Sequence, residues 1–286
     1  MSEILLLTSD VQPPPNDNAE RFARGFRGAG WKVCCACHDQ LAIRGNRLVV
    51  ATRTPDSFDL IWPVGFGRQA TFFDRMQLLK TLPRSRFVTE VDAFMYLHGK
   101  HRWLDLMPET HTSTDRDYLL EVVAAGGDWV LKPTAGSYGR DVYRIHDEEQ
   151  ARRLLQRPLP AEEQGYWLLQ RFIPEIAAGE KRTLIAGGVP IGTYLRLPSD
   201  GLRANVAADA RIEPATLSSS QQHLVSRLAA ELTGLGVGFA AIDLVGDYLM
   251  EVNIANPGGL SSLQTVYGED FTAAVVKAIL CWRGKP

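Results

Sequence analysis

The chain has 286 residues, a formal net charge of −2 and 45% hydrophobic residues, enough to bury a substantial core in one large domain or two. Its mixed-sign charge leaves no basic footprint for nucleic acid or an anionic membrane surface. No apolar run reaches spanning length, and Met1-Ser2-Glu3 leads straight into Ile4-Leu5-Leu6-Leu7 without a basic segment or cleavage site, so we expect a soluble, cytoplasmic protein.

Glu3 to Leu7 reads as a buried strand, followed by the Pro13-Pro14-Pro15 loop. Asn18 is positioned to cap a helix with Phe22, Ala23 and Phe26 on one face, closed by Gly28 and Gly30, and Trp31 to Cys37 returns as a strand. Strand, helix, strand predicts a parallel βαβ opening. No G-x-G-x-x-G follows the first strand, which argues against a Rossmann oxidoreductase of the usual fingerprint. Cys34, Cys35 and Cys37 lack the paired C-x-x-C spacing of a zinc site, alternation puts Cys34 opposite the other two, and Cys281 stands alone near the end. The trio reads as small core hydrophobes.

Leu48 to Ala51 and Leu60 to Val64 are further short strands, and Phe73 to Leu82 is a helix with Met76, Leu79 and Lys80 at helical spacing. Asp74 and Arg75 open it and read as an exposed first-turn pair, with substrate contact as the alternative. Val91 to Lys100 is a short helix, Pro108-Glu109-Thr110 a turn, and Asp115 to Ala125 a helix with Leu119, Val122 and Val123 inward, stopped by Gly126-Gly127. Trp129 to Lys132 is then a strand ending in a lysine, followed by a loop containing Gly136 and Gly139 and a returning strand, Val142 to Ile145. Such glycines allow close backbone approach, and loop N–H groups can cradle an anion, although an ordinary hairpin loop looks the same. The P-loop pattern G-x-x-x-x-G-K-[ST] is absent.

Tyr166 to Ile173 is a strand ending before Pro174, and Glu180-Lys181-Arg182 leads into a strand from Thr183 to Ala186. Gly187-Gly188 makes a hairpin turn to Ile191–Leu197, where Tyr194 and Arg196 share a face. A polar segment, Pro198 to Arg211, holds Arg203 and Asn205. Gln221 to Leu232 is an amphipathic helix with Leu224, Leu228 and Leu232 inward, and Phe271 to Trp282 is the last helix.

The most informative stretch is Ala240 to Gly259, AAIDLVGDYLMEVNIANPGG. Alternation around Gly246-Asp247 predicts a hairpin. A two-residue turn pairs Asp243 with Met250, whereas a three-residue connection or an equivalent bulge pairs Asp243 with Glu251. The second register also gathers Ile242, Leu244, Met250, Val252 and Ile254 on the opposite face, so we expect that one. Asp243, Glu251 and Asn253 then present oxygen ligands of the kind that hold Mg2+ beside substrate phosphates. A solvated polar sheet face is the plain alternative.

The motifs LKPTAGSYGRDVYR, LQRFIPEIAAGEKRTLIAGGVPIGTYLR and AIDLVGDYLMEVNIANPGGL, in this order, resemble the ATP-grasp ligases, and among them bacterial glutathione synthetases, from about Pro108 to the end. The resemblance implies an α/β ATP-grasp fold with an amino-terminal Rossmann-like domain, divided as 1–92 on the substrate side, 93–168 as a lid subdomain, and 169–286 carrying the metal site. It implies that Lys100 and Lys132 contact nucleotide phosphates, that Gly136, Ser137, Tyr138 and Gly139 close over them, and that Gln170, Arg171, Phe172 and Ile173 hold adenine, with Glu180 on the ribose. Arg182, Arg196 and Asn205 face the transferred phosphoryl group, and Asp243, Glu251 and Asn253 hold two Mg2+ ions, with Mn2+ a substitute. The implied activity is an ATP-dependent carboxylate–amine ligase working through an acyl phosphate, with γ-glutamylcysteine and glycine as the first pair. Ligation of another amino acid or peptide is the alternative, and an inactive nucleotide-binding sensor a further one. Partners are then small-molecule substrates, and family likeness suggests a homo-oligomer.

The sequence departs from that family where substrate is chosen. The R-K-D-P-P-F-D segment is missing, with Trp62 to Gly67 and Phe73-Asp74-Arg75 in the comparable region. The usual G-G after N-x-A-A is Asp209-Ala210, and the T-S-P turn is Ala255-Asn256-Pro257.

Overall fold

Ile4, Leu5, Leu6 and Leu7 are fully buried, as befits a strand covered on both faces; in the computed structural model, which describes residues 1–9, 16–134, 141–157, 165–204 and 210–284, they lie in β1 (Glu3–Thr8). Helix α1 (Asn18–Gly28) leads to β2 (Lys32–Cys37), which runs parallel to β1. A hairpin, β3 (Leu41–Arg44) and β4 (Arg47–Val50), precedes β5 (Leu60–Pro63), parallel to β1 on its other side, giving the order β2-β1-β5. Helices α2 (Phe72–Lys80) and α3 (Val91–Tyr96) follow. Asn18 is the first helical residue rather than a cap, and its side-chain amide donates to Asn256 Oδ1 at 2.8 Å and Pro257 O at 2.9 Å. The cysteine reading also needs correction: Cys35 is exposed, and Cys34 and Cys37 are only half-buried.

A second unit comprises β6 (Thr110–Ser113), α4 (Arg116–Ala124), β7 (Trp129–Pro133), β8 (Tyr143–Ile145), α5 (Glu148–Gln156) and β9 (Trp167–Arg171). Its antiparallel sheet has the order β6-β9-β7-β8. Leu119, Leu120, Ala151 and Leu155 of the helices pack on Trp129, Leu131, Trp167 and Leu169. The expected 168/169 boundary falls inside β9.

The third unit is β10 (Glu180–Ala186), β11 (Val189–Leu197), β12 (Arg211–Pro214), α6 (Ser219–Gly234), β13 (Phe239–Val245), β14 (Tyr248–Asn253), α7 (Leu260–Tyr267) and α8 (Thr272–Trp282). The sheet is antiparallel with the order β12-β11-β10-β13-β14. On one face, Ile185, Ala240, Ile242 and Leu244 pack against Val225, Leu228 and Leu232 of α6. On the other, Leu184, Phe239 and Ala241 share a core with Val275, Val276 and Ile279 of α8 and with Phe22, Phe26 and Trp62. The stacked Phe22–Trp62 rings, 4.1 Å apart, meet Phe239 edge-on at 5.2 Å from Phe22, so the parallel sheet and the antiparallel sheet are joined through one core. Alternation continues the Phe239–Ala241 face to Asp243, which opens onto a cavity.

Candidate active site

Register assembles the site. The β13–β14 turn contains two residues, Gly246 and Asp247, and a bulge at Met250 restores the pairing of Asp243 with Glu251. The bulge makes Leu249, not Met250, join the α6 core; Met250 turns to the cavity side instead. Across the neighbouring strands Asp243 pairs with Arg182, and Arg182 with Tyr194. Tyr194, Arg182, Asp243 and Glu251 therefore form a row across four strands. Glu180 and Arg196 pair one step away, and Asn253 lies opposite Ala241.

Charge is densely compensated along this row. Arg182 grips Asp243 with both prongs, Nε to Oδ1 at 2.7 Å and Nη2 to Oδ2 at 2.6 Å, and its Nη1 donates to Gly258 O at 3.1 Å. Arg196 Nη2 lies 3.1 Å from Asp243 Oδ2 and also contacts Glu180, while Arg196 Nε is buried without a partner among the described residues. Burial alone raises the Asp243 carboxyl, but the two arginines outweigh it and hold it at about 2. Burial opposes the charge on Arg182 as well, and Asp243 drives its pKa upward nonetheless. Asn253 Nδ2 donates to Asp243 Oδ2 at 3.4 Å.

The two lysines of the cavity arrive from different elements. Gly99 makes paired backbone hydrogen bonds with Val252 at 3.0 and 3.2 Å, which sets Lys100 beside β14, where its Nζ donates to Glu251 Oε1 at 2.5 Å. The burial penalty on Glu251 is overcome by Lys100, and its pKa is lowered. Lys132, on β7, donates to Gln170 Oε1 at 2.9 Å, and Gln170 donates in turn to Thr110 Oγ1 at 2.9 Å. Burial first, and the Lys100 cation second, lower Lys132 to about 7.

At the carboxyl end of β9, the Arg171 and Phe172 N–H groups donate to Glu109 O at 2.8 Å and Asp128 O at 2.9 Å. The Arg171 guanidinium is held 2.5 Å from Glu109 Oε2 and 4.0 Å over the Trp129 ring. Arg144 covers Phe172 at 3.9 Å. Ile173, Ile176, Ala204 and Val245 form a buried apolar cluster, with Phe172 and Met250 against it. Lys100, Lys132, Gln170, Arg171, Phe172, Ile173, Glu180, Arg182, Arg196, Asp243, Glu251 and Asn253 all line one cavity of about 1000 Å³. Gly136, Ser137, Tyr138, Gly139 and Asn205 lie outside the described residues.

The cavity also takes in residues that pattern reading passed over. Val245 and Met250 give it an apolar floor, and His98, Tyr194, Ser262 and Asn256 add polar groups. Desolvation by the surrounding cavity walls, aided by the Lys100 cation, lowers His98 below the ordinary imidazole range although its side chain is exposed to the cavity. Of these residues, Tyr194 carried a sequence signal in the face it shares with Arg196, Asn256 in the altered turn, and Met250 in the hairpin, where a bulge reverses the face of the residue it inserts. Arg75, expected at the surface, is instead 2% exposed.

Residues 99–268, more than half of the chain, match the sequence profile of the prokaryotic glutathione synthetase ATP-grasp domain. The chain belongs to this ATP-grasp family. The glutathione synthetase of Parasynechococcus marenigrum is 31% identical over 293 residues, 93% of this chain and 94% of that protein. Those of Prochlorococcus marinus and Xanthomonas axonopodis are 28% and 33% identical over 64% and 60% of this chain. The matched part spans 60% and 55% of the length of those two relatives. Among solved structures, D-cycloserine synthetase DcsG has a TM-score of 0.70 at 18% identity, covering 99% of this chain and all of that one (100%). The ATP-grasp ligase PsnB, complexed with minimal precursor, Mg and ADP, has a TM-score of 0.69 at 12% identity, covering 99% of this chain and 98% of that one. These structural likenesses establish the ATP-grasp fold.

The donor set fits the ATP and Mg2+ that ATP-grasp proteins use. Among the described residues no cluster of three or more His, Cys, Asp and Glu can hold a metal by itself. Two carboxylates and an amide suit Mg2+ completed by phosphate oxygens and water. The apolar floor matches a purine ring, and Lys132, poorly tolerated as a cation by burial, matches a polyanion that supplies the missing charge. No helix among the described residues is long and apolar enough to cross a membrane.

Proposed function

We propose that the protein is an ATP-dependent carboxylate–amine ligase that forms an amide through an acyl phosphate and releases ADP and phosphate. One observation carries this reading: the cations Lys100, Lys132, Arg182 and Arg196 and the carboxylates Asp243 and Glu251 line a single cavity floored by apolar side chains. A carboxylate is a poor electrophile because its leaving group is oxide, so it must first be phosphorylated. Phosphoryl transfer demands positioning and charge neutralisation more than covalent help.

Lys132 and Lys100 would bind the polyphosphate, and the Gln170–Ile173 segment with Val245 and Met250 would orient the base. Glu180 would take the ribose. Arg182 and Arg196, held rigid by Asp243, would orient the acid and the transferred group and stabilise the charge that develops between them. Asp243, Glu251 and Asn253 would hold Mg2+, two ions in our reading, which supplies charge neutralisation across the phosphates. The segment containing Gly136, Ser137, Tyr138 and Gly139 would exclude water from the acyl phosphate, and Asn205 would face the same group. In this reading the substrate side is 1–92, the lid 93–168 and the metal-carrying part 169–286, with the second boundary moved to the end of β9.

The relatives' names make γ-glutamylcysteine with glycine the first pair to assay. A different acid on the same scaffold is the second reading, and the altered segments at Trp62–Gly67 and Asp209-Ala210 favour testing it in parallel. The acyl-phosphate route is tested by labelling the donor carboxylate with oxygen-18. Label recovered in the released phosphate supports it, and unlabelled phosphate refutes it.

A further inference from the structure

Three asparagines tie the start of α1 to the turn after β14. Asn18, 1% exposed at the first position of α1, donates from its amide nitrogen to Pro257 O at 2.9 Å and to Asn256 Oδ1 at 2.8 Å. Asn16 Nδ2 donates to Asn256 O at 3.1 Å, and Asn16 Oδ1 accepts from the Asn18 N–H at 3.1 Å. These bonds set the polarity of the cluster. Pro257 O can only accept, which puts the Asn18 nitrogen on that side, and the second proton of that nitrogen then draws the oxygen of Asn256 towards it. The Asn256 NH2 group is left on the far side of its amide, without a partner among the described residues. Asn256 is half-buried and lines the cavity, whereas Asn18 lies outside the lining.

Asn256 stands in the turn where the sequence departs from that of its relatives, between two parts of the cavity wall. On one side Arg182 Nη1 donates to Gly258 O at 3.1 Å, two residues along. On the other a Cβ at Gly65, just past the carboxyl end of β5, would stand 3.7 Å from the Asn256 Cβ. The Gly65 N–H donates to Ala255 O at 2.9 Å. The loop that continues from Gly65 is held in turn by Arg75, whose Nη2 donates to Phe66 O and to Arg68 O, each at 2.7 Å. The amide is thus fixed between the arginine row and the parallel sheet, with its donor side unspent.

Resting on the ligase reading above, we propose that the Asn256 NH2 group donates to a carbonyl or carboxylate oxygen of the acid substrate, beyond the carboxylate that reacts, and that Asn18 is the positioning residue that keeps the donor side of this amide towards the cavity. In that reading Arg182 and Arg196 take the reacting carboxylate, so the oxygen at Asn256 belongs to another group of the acid. The site then favours acids with an acceptor at that point, such as acylated amino acids. A substrate that presents a hydrocarbon or a second donor there leaves the amide desolvated and unpaired.

γ-Glutamylcysteine, γ-glutamylalanine, N-acetylcysteine and N-acetylalanine are offered with glycine, and ADP release is followed with KM for the acid and for ATP measured separately. Asn256→Ala should raise the KM for the acid about tenfold. Asn256→Asp, which puts an oxygen where the nitrogen was, should raise it further, and in both variants ATP KM should stay within about twofold. Asn18→Ala frees the Asn256 amide to rotate and should raise the KM for the acid about fivefold, yet add less than about twofold once Asn256 is already alanine. An unchanged KM for the acid in Asn256→Ala, a value at or below wild type in Asn256→Asp, or an equal rise in ATP KM overturns the proposal. A full Asn18→Ala effect in the Asn256→Ala background overturns the positioning role. If Asn18→Ala fails to fold by thermal melting, the two Asn256 variants decide. If no acid releases ADP from a wild type that binds ATP, the ligase reading falls and takes this inference with it, an outcome distinct from ADP release that ignores Asn256.

Discussion

Lys132 provides the sharpest quantitative test. Burial and the neighbouring Lys100 hold its ammonium at about 7, well below the ordinary lysine value near 10.4. At about pH 8 roughly nine tenths of the protein then has Lys132 neutral. A bound triphosphate favours the charged form, so the pKa rises on binding and nucleotide binding takes up a proton. Because the free-state pKa is the lower one, affinity is full below about pH 7 and is lost as pH rises towards the bound-state pKa. Across that window Kd for ATP should increase roughly tenfold per pH unit. Titration calorimetry in buffers of different ionisation enthalpy should register uptake of about half a proton at pH 7 and nearly one at pH 8. The terminal phosphate titrates near pH 6 and is nearly fully ionised in this range. Lys132→Arg keeps a fixed charge and should abolish the slope. An identical slope in Lys132→Arg, or no proton uptake in the wild type, refutes the assignment.

Glu251→Ala removes a proposed metal ligand from a strand that is otherwise well packed. Turnover should fall by about 100-fold or more, and thermal melting should fall as well because Lys100 loses its carboxylate partner; activity retained with Mg2+ contradicts the ligand role. Asp243→Ala leaves Arg182 and Arg196 without their shared carboxylate and should destabilise the fold by about 3–5 kcal/mol in urea unfolding, so a neutral result would contradict the burial argument. Asp243 also predicts acid behaviour. Its folded pKa of about 2 lies below its unfolded value, so its stabilisation is complete above about pH 4 and is lost as pH falls towards 2. The acid limb of a wild-type stability profile should steepen there relative to Asp243→Asn. Gly187→Ala combines a left-handed φ of +52° with a clash against the Ala278 backbone; a loss of more than about 1 kcal/mol is expected in denaturant melts.

Much of the site was legible because its residues sit on strands whose period is short and whose core face is strongly apolar. Ile242, Leu244 and Val252 force one register, and that register carries Asp243 to Glu251 whether the extra residue sits in the turn or in a bulge. The bulge's place was not legible, so Met250 was assigned to the wrong face. The parallel β1–α1–β2 opening followed from the apolar run Ile4–Leu7 and the helical spacing of Phe22 and Phe26. The pattern missed β3, β6, β12, α5 and α7. Thr110–Ser113 and Arg211–Pro214 are short and polar, and acquire strand geometry only by pairing with β9 and β11. Arg75 misled because local spacing cannot reveal that the carbonyls of Phe66 and Arg68 will surround a guanidinium. His98 belongs to the cavity through long-range packing that spacing does not encode.

The central claim, an ATP-driven amide ligation, is tested most directly by incubating the purified protein with ATP, Mg2+ and γ-glutamylcysteine or a panel of other acids, offering each amino acid in turn. ADP and phosphate are quantified and the product is weighed by mass spectrometry. ADP and phosphate should appear in equal amounts, both requiring an acid and an amine, with an amide product of matching mass. ATP bound but never cleaved with any pair, or cleaved without amide formation, would contradict it.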